Sequence, residues 1–287
     1  MIVVGLKGGL GNQLFQFALG RRLAIEHGCP LILDDRALQS DPLRNFALNQ
    51  FQISQSLAKP LSYPLHGVGA YLNPLYRSLP FTQPLTIANE NGFAFDPQVL
   101  ECESGTYLNG YWQSERYFLP IRQTLLTDLV LTKPLSTEQS KLAEQIKGVN
   151  AVSLHIRRGD YVSDSTTNSY HGLCDLNWYH RAVETIAQNV SNPHFYIFSD
   201  DYAWATKNVQ LSHPTHFIEP QKDGHESIDM HLMSLCQHNI IANSSFSWWG
   251  AWLNQNLQKR VIAPANWFAN APHDTRDLIP TSWQRLA

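Results

Sequence analysis

Short apolar runs alternate with amphipathic segments along most of the chain. Residues 2–6 form a β-branched run that predicts a buried strand, and a glycine-rich turn at 8–11 ends it. Apolar residues at helical spacing then predict a helix over about 12–27, and a second strand is predicted at 30–34. A strand, a glycine turn, a helix and a strand together begin a βαβ unit with parallel strands.

A second α/β pattern begins near residue 137. It predicts strands at 151–156, 195–198, 216–218, 239–242 and 261–263, and helices at 138–147, 177–188, 226–236 and 246–257. Strands that alternate with helices favour a parallel sheet covered on both faces. We place the domain boundary near Pro134, which predicts an N-terminal domain of residues 1–134 and a C-terminal domain of residues 135–287.

The segment of residues 36–105 has no clear periodicity. It carries prolines at 42, 60, 64, 74, 80, 84 and 97. Because proline interrupts helices and central strands, we interpret the segment as an irregular insertion in the first domain that could contain short helices. A strand is predicted at 106–110 after it, and a helix at 114–126, although Pro120 lies within that helix.

Composition narrows the class of protein. The 287 residues suit two domains at about 150 residues each, and 21 basic against 24 acidic residues leave a net charge of −3. A chain with this net charge has no overall positive potential that would attract nucleic acid or an anionic membrane. Four dispersed cysteines without a CxxC pair argue against a zinc ribbon or a disulfide scaffold. With neither a signal peptide nor a membrane span evident, we expect a cytoplasmic protein that is at most peripheral to a membrane.

The glycine turn at residues 8–13, GGLGNQ, is the first candidate site. Glycines such as Gly11 allow a backbone to approach a ligand closely, and the helix that follows offers N–H groups to an anion. Leu14 stands where a dinucleotide fingerprint has its third glycine, and no P-loop lysine follows. A tight turn without a ligand is the alternative.

The segment HIRRGDY, residues 155–161, is the second candidate. Guanidinium groups match phosphate oxygens bidentately and keep their charge, so adjacent arginines at a strand end suit a phosphate. Neighbours in an extended segment point in opposite directions, so we expect Arg157 and Arg158 to do different jobs. An ion pair with Asp160 is the structural alternative, and it is the stronger one for Arg158.

Two further candidates follow predicted strands. The segment NSSFSWW, residues 243–249, brings Ser244 and Ser245 to a helix start, where hydroxyl and N–H groups can hold a phosphate. The same serines could simply cap the helix, and the tryptophans suit core packing. Asp229, in the first turn of a predicted helix, could bind a ligand or complement the helix dipole. The twelve histidines show no metal-ligand spacing, so a metal role is unsupported.

These features favour sugar transfer over two rival functions. Two phosphate-approach turns and an arginine pair suit a nucleoside diphosphate leaving group held between two domains. A nicotinamide-dependent oxidoreductase is the main alternative, because Asp34 ends the second strand where a ribose-binding acid would lie. The third reading is a carbohydrate-binding module with a tryptophan-rich surface.

Four segments resemble the α1,2-fucosyltransferases of bacterial polysaccharide synthesis. They are GGLGNQLFQFA near the N-terminus, HIRRGDY at 155–161, FSDD at 198–201 and HNIIANSSFSWWGAWL at 238–253. The resemblance implies a GT-B-like α/β fold with two Rossmann-like domains facing a cleft. It also implies transfer of fucose from GDP-fucose, with inversion and no metal or other cofactor, to the 2-hydroxyl of a terminal galactose, as in an O-antigen repeat.

The resemblance also implies roles for individual residues. Arg157 would hold the β-phosphate with support from Arg158, while His155 and Asp229 would contact the guanosine. Asn12 would reach toward the reacting centre across the cleft. The remaining motif residues in the donor site would be Gly11, Asn243, Ser244, Ser245 and Phe246, with the two serines on phosphate oxygens.

The general base is the least determined role. It must lie near the acceptor hydroxyl, and Asp164 and His171 follow the arginines closely in the sequence. We prefer Asp164, with His171 second, and interpret Asp160 as an orienting partner of Arg158. Proton uptake by the departing phosphate is a further alternative.

Overall fold

A computed structural model of the chain describes residues 1–53, 85–159, 172–221, 225–269 and 273–287, and the backbone of 56–57. The chain divides into two compact units, Met1–Asn49 with Ile53–Asp128, and Gln50–Gln52 with Leu129–Ala287. The division therefore falls after Asp128, whereas the sequence analysis placed it after Pro134.

The first unit is built on a parallel sheet. Its elements are β1 (Ile2–Gly5), α1 (Leu10–Glu26), β2 (Leu31–Asp34), α2 (Arg36–Gln39), β3 (Ser56–Leu57), β4 (Thr86–Asn89), β5 (Thr106–Asn109) and α3 (Arg122–Asp128). The strands lie in the order β3-β2-β1-β5-β4, and every pairing is parallel. The βαβ start predicted from residues 2–34 is confirmed.

Two sequence interpretations need correction here. The segment 36–105 contributes β3 and β4 to the sheet and is therefore more than an irregular insertion. Strand β4 has mostly exposed side chains and therefore lacks the apolar run that marks a buried strand. It is short enough to lie between Pro84 and Pro97 without including either proline. The predicted helix at 114–126 is two short 3-10 turns followed by α3, because Pro120 cannot donate a helical hydrogen bond.

The second unit is also a parallel α/β structure. Its elements are α4 (Thr137–Lys147), β6 (Asn150–Ile156), α5 (Leu176–Ala187), β7 (Pro193–Ser199), α6 (Tyr202–Asn208), β8 (Thr215–Ile218), α7 (Glu226–Leu235), β9 (His238–Ile240), α8 (Ser245–Leu253), β10 (Val261–Pro264) and β11 (Gln284–Leu286). The strand order is β11-β10-β9-β6-β7-β8, with every pairing parallel. The short edge strand β11 and the short helix α6 were not predicted, and α8 ends earlier than predicted.

Apolar packing on the central strands holds the second unit together. After Asn150 every side chain of β6 is buried, which explains why the strand is mostly apolar, with only Ser153 and His155 as polar exceptions. Trp248, Trp249 and Trp252 of α8 are at most 2% exposed, so the core interpretation of these tryptophans is confirmed. The Trp248 indole N–H donates to the Leu278 carbonyl at 2.9 Å.

Strand order determines where each sheet can hold a ligand. In the second sheet the chain runs outward from β6 through β7 to β8 and then returns to the other side of β6 at β9. Such a reversal leaves a crevice beyond the carboxyl ends of the two strands, where open α/β sheets bind ligands. The first sheet has the same kind of reversal between β1 and β5.

Candidate functional site

His155 and Phe246 meet at the crevice between β6 and β9. Their ring centroids lie 5.6 Å apart, although the two residues belong to different segments of the chain. His155 is 4% exposed, and in the described residues its Nδ1 atom has no hydrogen-bond partner. Burial lowers the pKa of His155; nearby Asp200 opposes this shift and Arg157 adds to it. The imidazole is therefore neutral near pH 7 and presents a polar atom that a ligand could satisfy.

Asp200, which follows β7, fixes the segment that follows β6. Its Oδ2 atom accepts from Arg157 Nη1 at 2.7 Å, and its Oδ1 atom accepts from the Arg158 backbone N–H at 2.8 Å. A Cβ atom at Gly159 would come within 2.7 Å of Oδ2. Asp200 thus links the FSDD segment to the HIRRG segment and holds the Arg157 guanidinium by its Nη1 atom.

Arg158 makes different contacts from Arg157, as predicted. Its guanidinium lies 3.7 Å from the centre of the Trp204 ring, and its Nε atom is 3.3 Å from Asp201 Oδ2. Asp201 also caps α6 by accepting from the Trp204 N–H at 3.1 Å. Among the described residues the ion-pair partner of Arg158 is therefore Asp201, and Asp160, which the sequence analysis named, lies outside them. These contacts favour a structural role for Arg158.

Ser244 and Ser245 lie at the start of α8 without capping it. Ser244 has the extended backbone of an N-cap residue and is 8% exposed, yet its side chain accepts no capping hydrogen bond. Among the described residues, neither serine hydroxyl has a hydrogen-bond partner. The capping alternative is therefore wrong for Ser244. Two hydroxyls beside the first N–H groups of a helix can hold an anionic oxygen.

The Asn243 side chain makes its hydrogen bonds within the protein. Its side-chain amide donates to the carbonyls of Gly172 and Trp267, both at 3.2 Å, and the residue is 3% exposed. These bonds join three loops near the carboxyl edge of the sheet. The structure thus supports a role for Asn243 in shaping the site.

Asp229 occupies the first turn of α7. Its Oδ1 atom accepts from Gln221 Nε2 at 3.2 Å. Burial raises the pKa of Asp229 to about 6, the Gln221 hydrogen bonds lower it, and the charge of Glu226 raises it. A mostly buried carboxylate of this kind can accept N–H groups from the edge of a base.

In the first unit, Asn12 lies beside the crevice between β1 and β5. Its Oδ1 atom accepts from Gln113 Nε2 at 2.8 Å. Gly8 has φ +78°, and a Cβ atom there would come within 2.5 Å of the Asn12 amide. Gly11 is buried in the first turn of α1. The absence of a side chain at Gly8 therefore allows Asn12 to pack close to the turn.

Gln13 was missed by sequence reasoning. Its Nε2 atom donates to the carbonyls of Gly8 at 2.9 Å and Asn45 at 2.8 Å, and its Oε1 atom accepts from the Ala47 N–H at 2.9 Å. The residue is fully buried on a helix whose other buried side chains are apolar apart from Gln16. A glutamine in that position was the available signal, and its three bonds fix the glycine turn.

Glu90 holds the other side of the same crevice. Its carboxylate accepts the backbone N–H groups of Tyr111 and Trp112, both at 2.7 Å. Trp112 has φ 58°, which is unusual for a bulky residue and marks a locally strained turn. Burial raises the pKa of Glu90, and both N–H groups and the charge of Lys7 oppose this. Sequence reasoning singled out none of these residues.

Some predicted residues cannot be placed. Asp160, Asp164 and His171 lie outside the described residues. Within the part of the chain that is described, no three His, Cys, Asp or Glu side chains are grouped as metal ligands. The described helices include none that is long and apolar enough to cross a membrane.

Comparison with known proteins identifies the family. The signature of glycosyl transferase family 11 matches residues 89–287. An alpha-1,2-colitosyltransferase of Escherichia coli is 32% identical over 294 residues, covering 100% of this chain and 99% of the relative. The O-antigen biosynthesis glycosyltransferase WbnK of Escherichia coli is 33% identical over 308 residues, covering 98% and 99%.

A solved structure supports the fold. NodZ, an alpha-1,6-fucosyltransferase soaked with GDP-fucose, matches with a TM-score of 0.57 at 15% identity, over 92% of this chain and 94% of that one. The expected α/β fold with two parallel-sheet units is confirmed, whereas nothing in these matches supports a nicotinamide-dependent oxidoreductase. The signature and the full-length relatives show that the chain is an enzyme and belongs to glycosyl transferase family 11.

Proposed function

We propose that this enzyme transfers fucose from GDP-fucose, with inversion, to the 2-hydroxyl of a terminal galactose in an oligosaccharide such as an O-antigen repeat. The observation that carries the proposal is that Arg157 follows β6 while Ser244 and Ser245 follow its neighbour β9, at the edge where His155 meets Phe246. The uncapped serine hydroxyls and the guanidinium supply donors for a diphosphate. The names of the full-length relatives support an α1,2-transferase of O-antigen synthesis.

The proposed mechanism places the developing charges on opposite sides of the breaking bond. As GDP departs, the sugar becomes positive like an oxocarbenium ion and the β-phosphate gains negative charge. Arg157, held by Asp200, and the hydroxyls of Ser244 and Ser245 stabilise that phosphate. Phe246 packs beside His155 and lines the guanosine end. Arg158 packs on Trp204 and keeps the segment after β6 in place, so it acts on the phosphate only through the position of Arg157.

We assign the acceptor end to Asn12 and to residues that follow the arginines in the sequence. Asn12, oriented by Gln113, would contact the reacting sugar. Asp164 would take the proton from the galactose 2-hydroxyl as it attacks the face opposite the leaving GDP. The guanidinium supplies the positive charge that a metal ion often provides, so we propose that no metal is required.

Product analysis tests this function. The enzyme is incubated with GDP-fucose, with and without EDTA, and with a panel of β-galactosides that includes a 2-deoxygalactoside. We expect an α-fucosyl product at O-2, no product from the 2-deoxy acceptor, and no loss with EDTA. A GDP-colitose arm is needed because one relative is named for colitose, which is fucose without its 3-hydroxyl. Sugar binding without transfer, or preferred use of GDP-colitose, would contradict the proposal.

Asp229 should determine the preference for guanine. We propose that its carboxylate accepts the N1–H and 2-amino groups of the base, and inosine diphosphate (IDP) lacks that amino group. The wild type should bind GDP about tenfold more tightly than IDP, as expected for one charge-assisted hydrogen bond. Asp229→Asn should bind GDP more weakly and lose most of the preference. Isothermal titration of both nucleotides measures this; equal losses for GDP and IDP would argue against the contact.

The raised pKa of Asp229 adds a pH dependence. GDP binds the ionised carboxylate, so protonation as the pH falls through about 6 should weaken binding to the wild type. Asp229→Asn cannot titrate and should lack this inflection. Titrations above and below this pH compare the two proteins. A wild-type affinity for GDP that stays constant across the range would contradict the assignment.

A further inference from the structure

The first turn of α7 is capped by a residue distant in sequence. His225 occupies the N-cap position but makes no capping bond through its side chain. The Ser227 N–H, which a local N-cap side chain would normally satisfy, donates instead to Gln50 Oε1 at 3.0 Å. Ser227 is 2% exposed, so water has little access to this bond.

Gln50 is held in place by its own segment. Residues Gln50–Gln52, which we call the strap, belong to the second unit although the chain on both sides of them belongs to the first. The Thr132 N–H donates to the Gln50 carbonyl at 2.9 Å, and the Gln52 N–H donates to the Val130 carbonyl at 2.8 Å. Phe51 is 3% exposed and pairs with Leu131. The strap therefore presents the Gln50 amide from a fixed backbone.

Capping of this turn bears directly on Asp229, which lies two residues after Ser227. Within the described residues, the Asp229 side chain accepts from Gln221 Nε2, and Gln221 in turn accepts from Gln139 Nε2 at 2.8 Å. Gln221 borders residues 222–224, which are outside the described range. The Gln50 bond thus acts on the backbone of the helix turn that carries Asp229.

We propose that Gln50 is a positioning residue for nucleotide binding, which caps α7 and thereby sets the position of the Asp229 carboxylate. The inference rests on the proposed function, because it assumes that Asp229 receives the guanine. It assigns to the strap a role in donor recognition in addition to its place in the fold. Gln50 acts through α7 and has no assigned contact with the nucleotide.

Two single variants test the proposal. Gln50→Ala removes the acceptor, and we expect the Kd for GDP to rise about fivefold, the equilibrium equivalent of one lost capping bond. The preference for GDP over IDP should fall with it, and KM for GDP-fucose should rise more than kcat falls. Gln52→Ala is the matched control, because its side chain donates to the Leu131 carbonyl at 3.1 Å on the same strap. We expect its nucleotide affinity to be unchanged.

A double-mutant cycle separates positioning from general destabilisation. In the Asp229→Asn background, Gln50→Ala should weaken GDP binding no further, because effects that act through one contact are not additive. Additive losses, or equal losses in Gln50→Ala and Gln52→Ala, would overturn the proposal. If Gln50→Ala does not fold, Gln50→Asn, whose amide is one methylene shorter, replaces it. A wild type that does not distinguish GDP from IDP would instead refute the guanine contact itself.

Discussion

Arg157→Lys should lower the rate of fucosyl transfer by about 10²- to 10³-fold, the usual cost of losing one preorganised donor to a developing charge. Lysine keeps the charge but presents a point donor, whereas the guanidinium presents a planar fork that matches two phosphate oxygens. Lysine also cannot reproduce the fixed geometry in which Asp200 holds Nη1 at 2.7 Å. Arg157→Ala should lose nearly all transfer.

The measurement is kcat/KM for GDP-fucose, with circular dichroism and thermal unfolding as checks on folding. Arg158→Lys is the informative comparison, because its guanidinium packs on Trp204 and pairs with Asp201. We expect that variant to lose thermal stability while retaining far more activity than Arg157→Lys. Near-normal turnover by a folded Arg157→Lys protein would remove Arg157 from the proposed mechanism.

Asp164→Asn should lower kcat by about 10²- to 10⁴-fold, the range typical of a lost general base. Binding of GDP should stay unchanged, since the proposed base faces the acceptor hydroxyl and not the nucleotide. His171→Ala is the matched test of the second candidate and should retain most of the activity. Rapid-quench kinetics at saturating acceptor, together with GDP titration, separates the chemical step from binding. Full activity in Asp164→Asn with loss in His171→Ala would reverse the assignment.

Burial explains how much of the fold was predictable. Strand β6 is mostly apolar because it is packed on both faces, and it was found from the sequence. Strands β4 and β11 were missed because both lie at sheet edges with largely exposed side chains. Pro120 disturbed the helix that was expected around it, since a proline breaks the hydrogen-bond pattern without showing which turn replaces it.

The candidate site was predictable where strand ends bring motifs together. His155 and Phe246 were both named from their motifs, and their rings meet because β6 and β9 are neighbours. Long-range polar contacts could not be predicted. The bond from Ser227 to Gln50 joins residues 177 positions apart and leaves no periodic signal. The pairing of Arg158 with Asp201 was not predicted for the same reason, because Asp201 approaches only through the pairing of β6 with β7.

A crystal structure of the complex with GDP tests the central claim most directly. The account predicts the β-phosphate at the start of α8, with its oxygens about 3 Å from the Arg157 guanidinium and from the hydroxyls of Ser244 and Ser245. The guanine should lie against His155 and Asp229. A nucleotide bound elsewhere, with no phosphate beside Arg157 or the two serines, would contradict it.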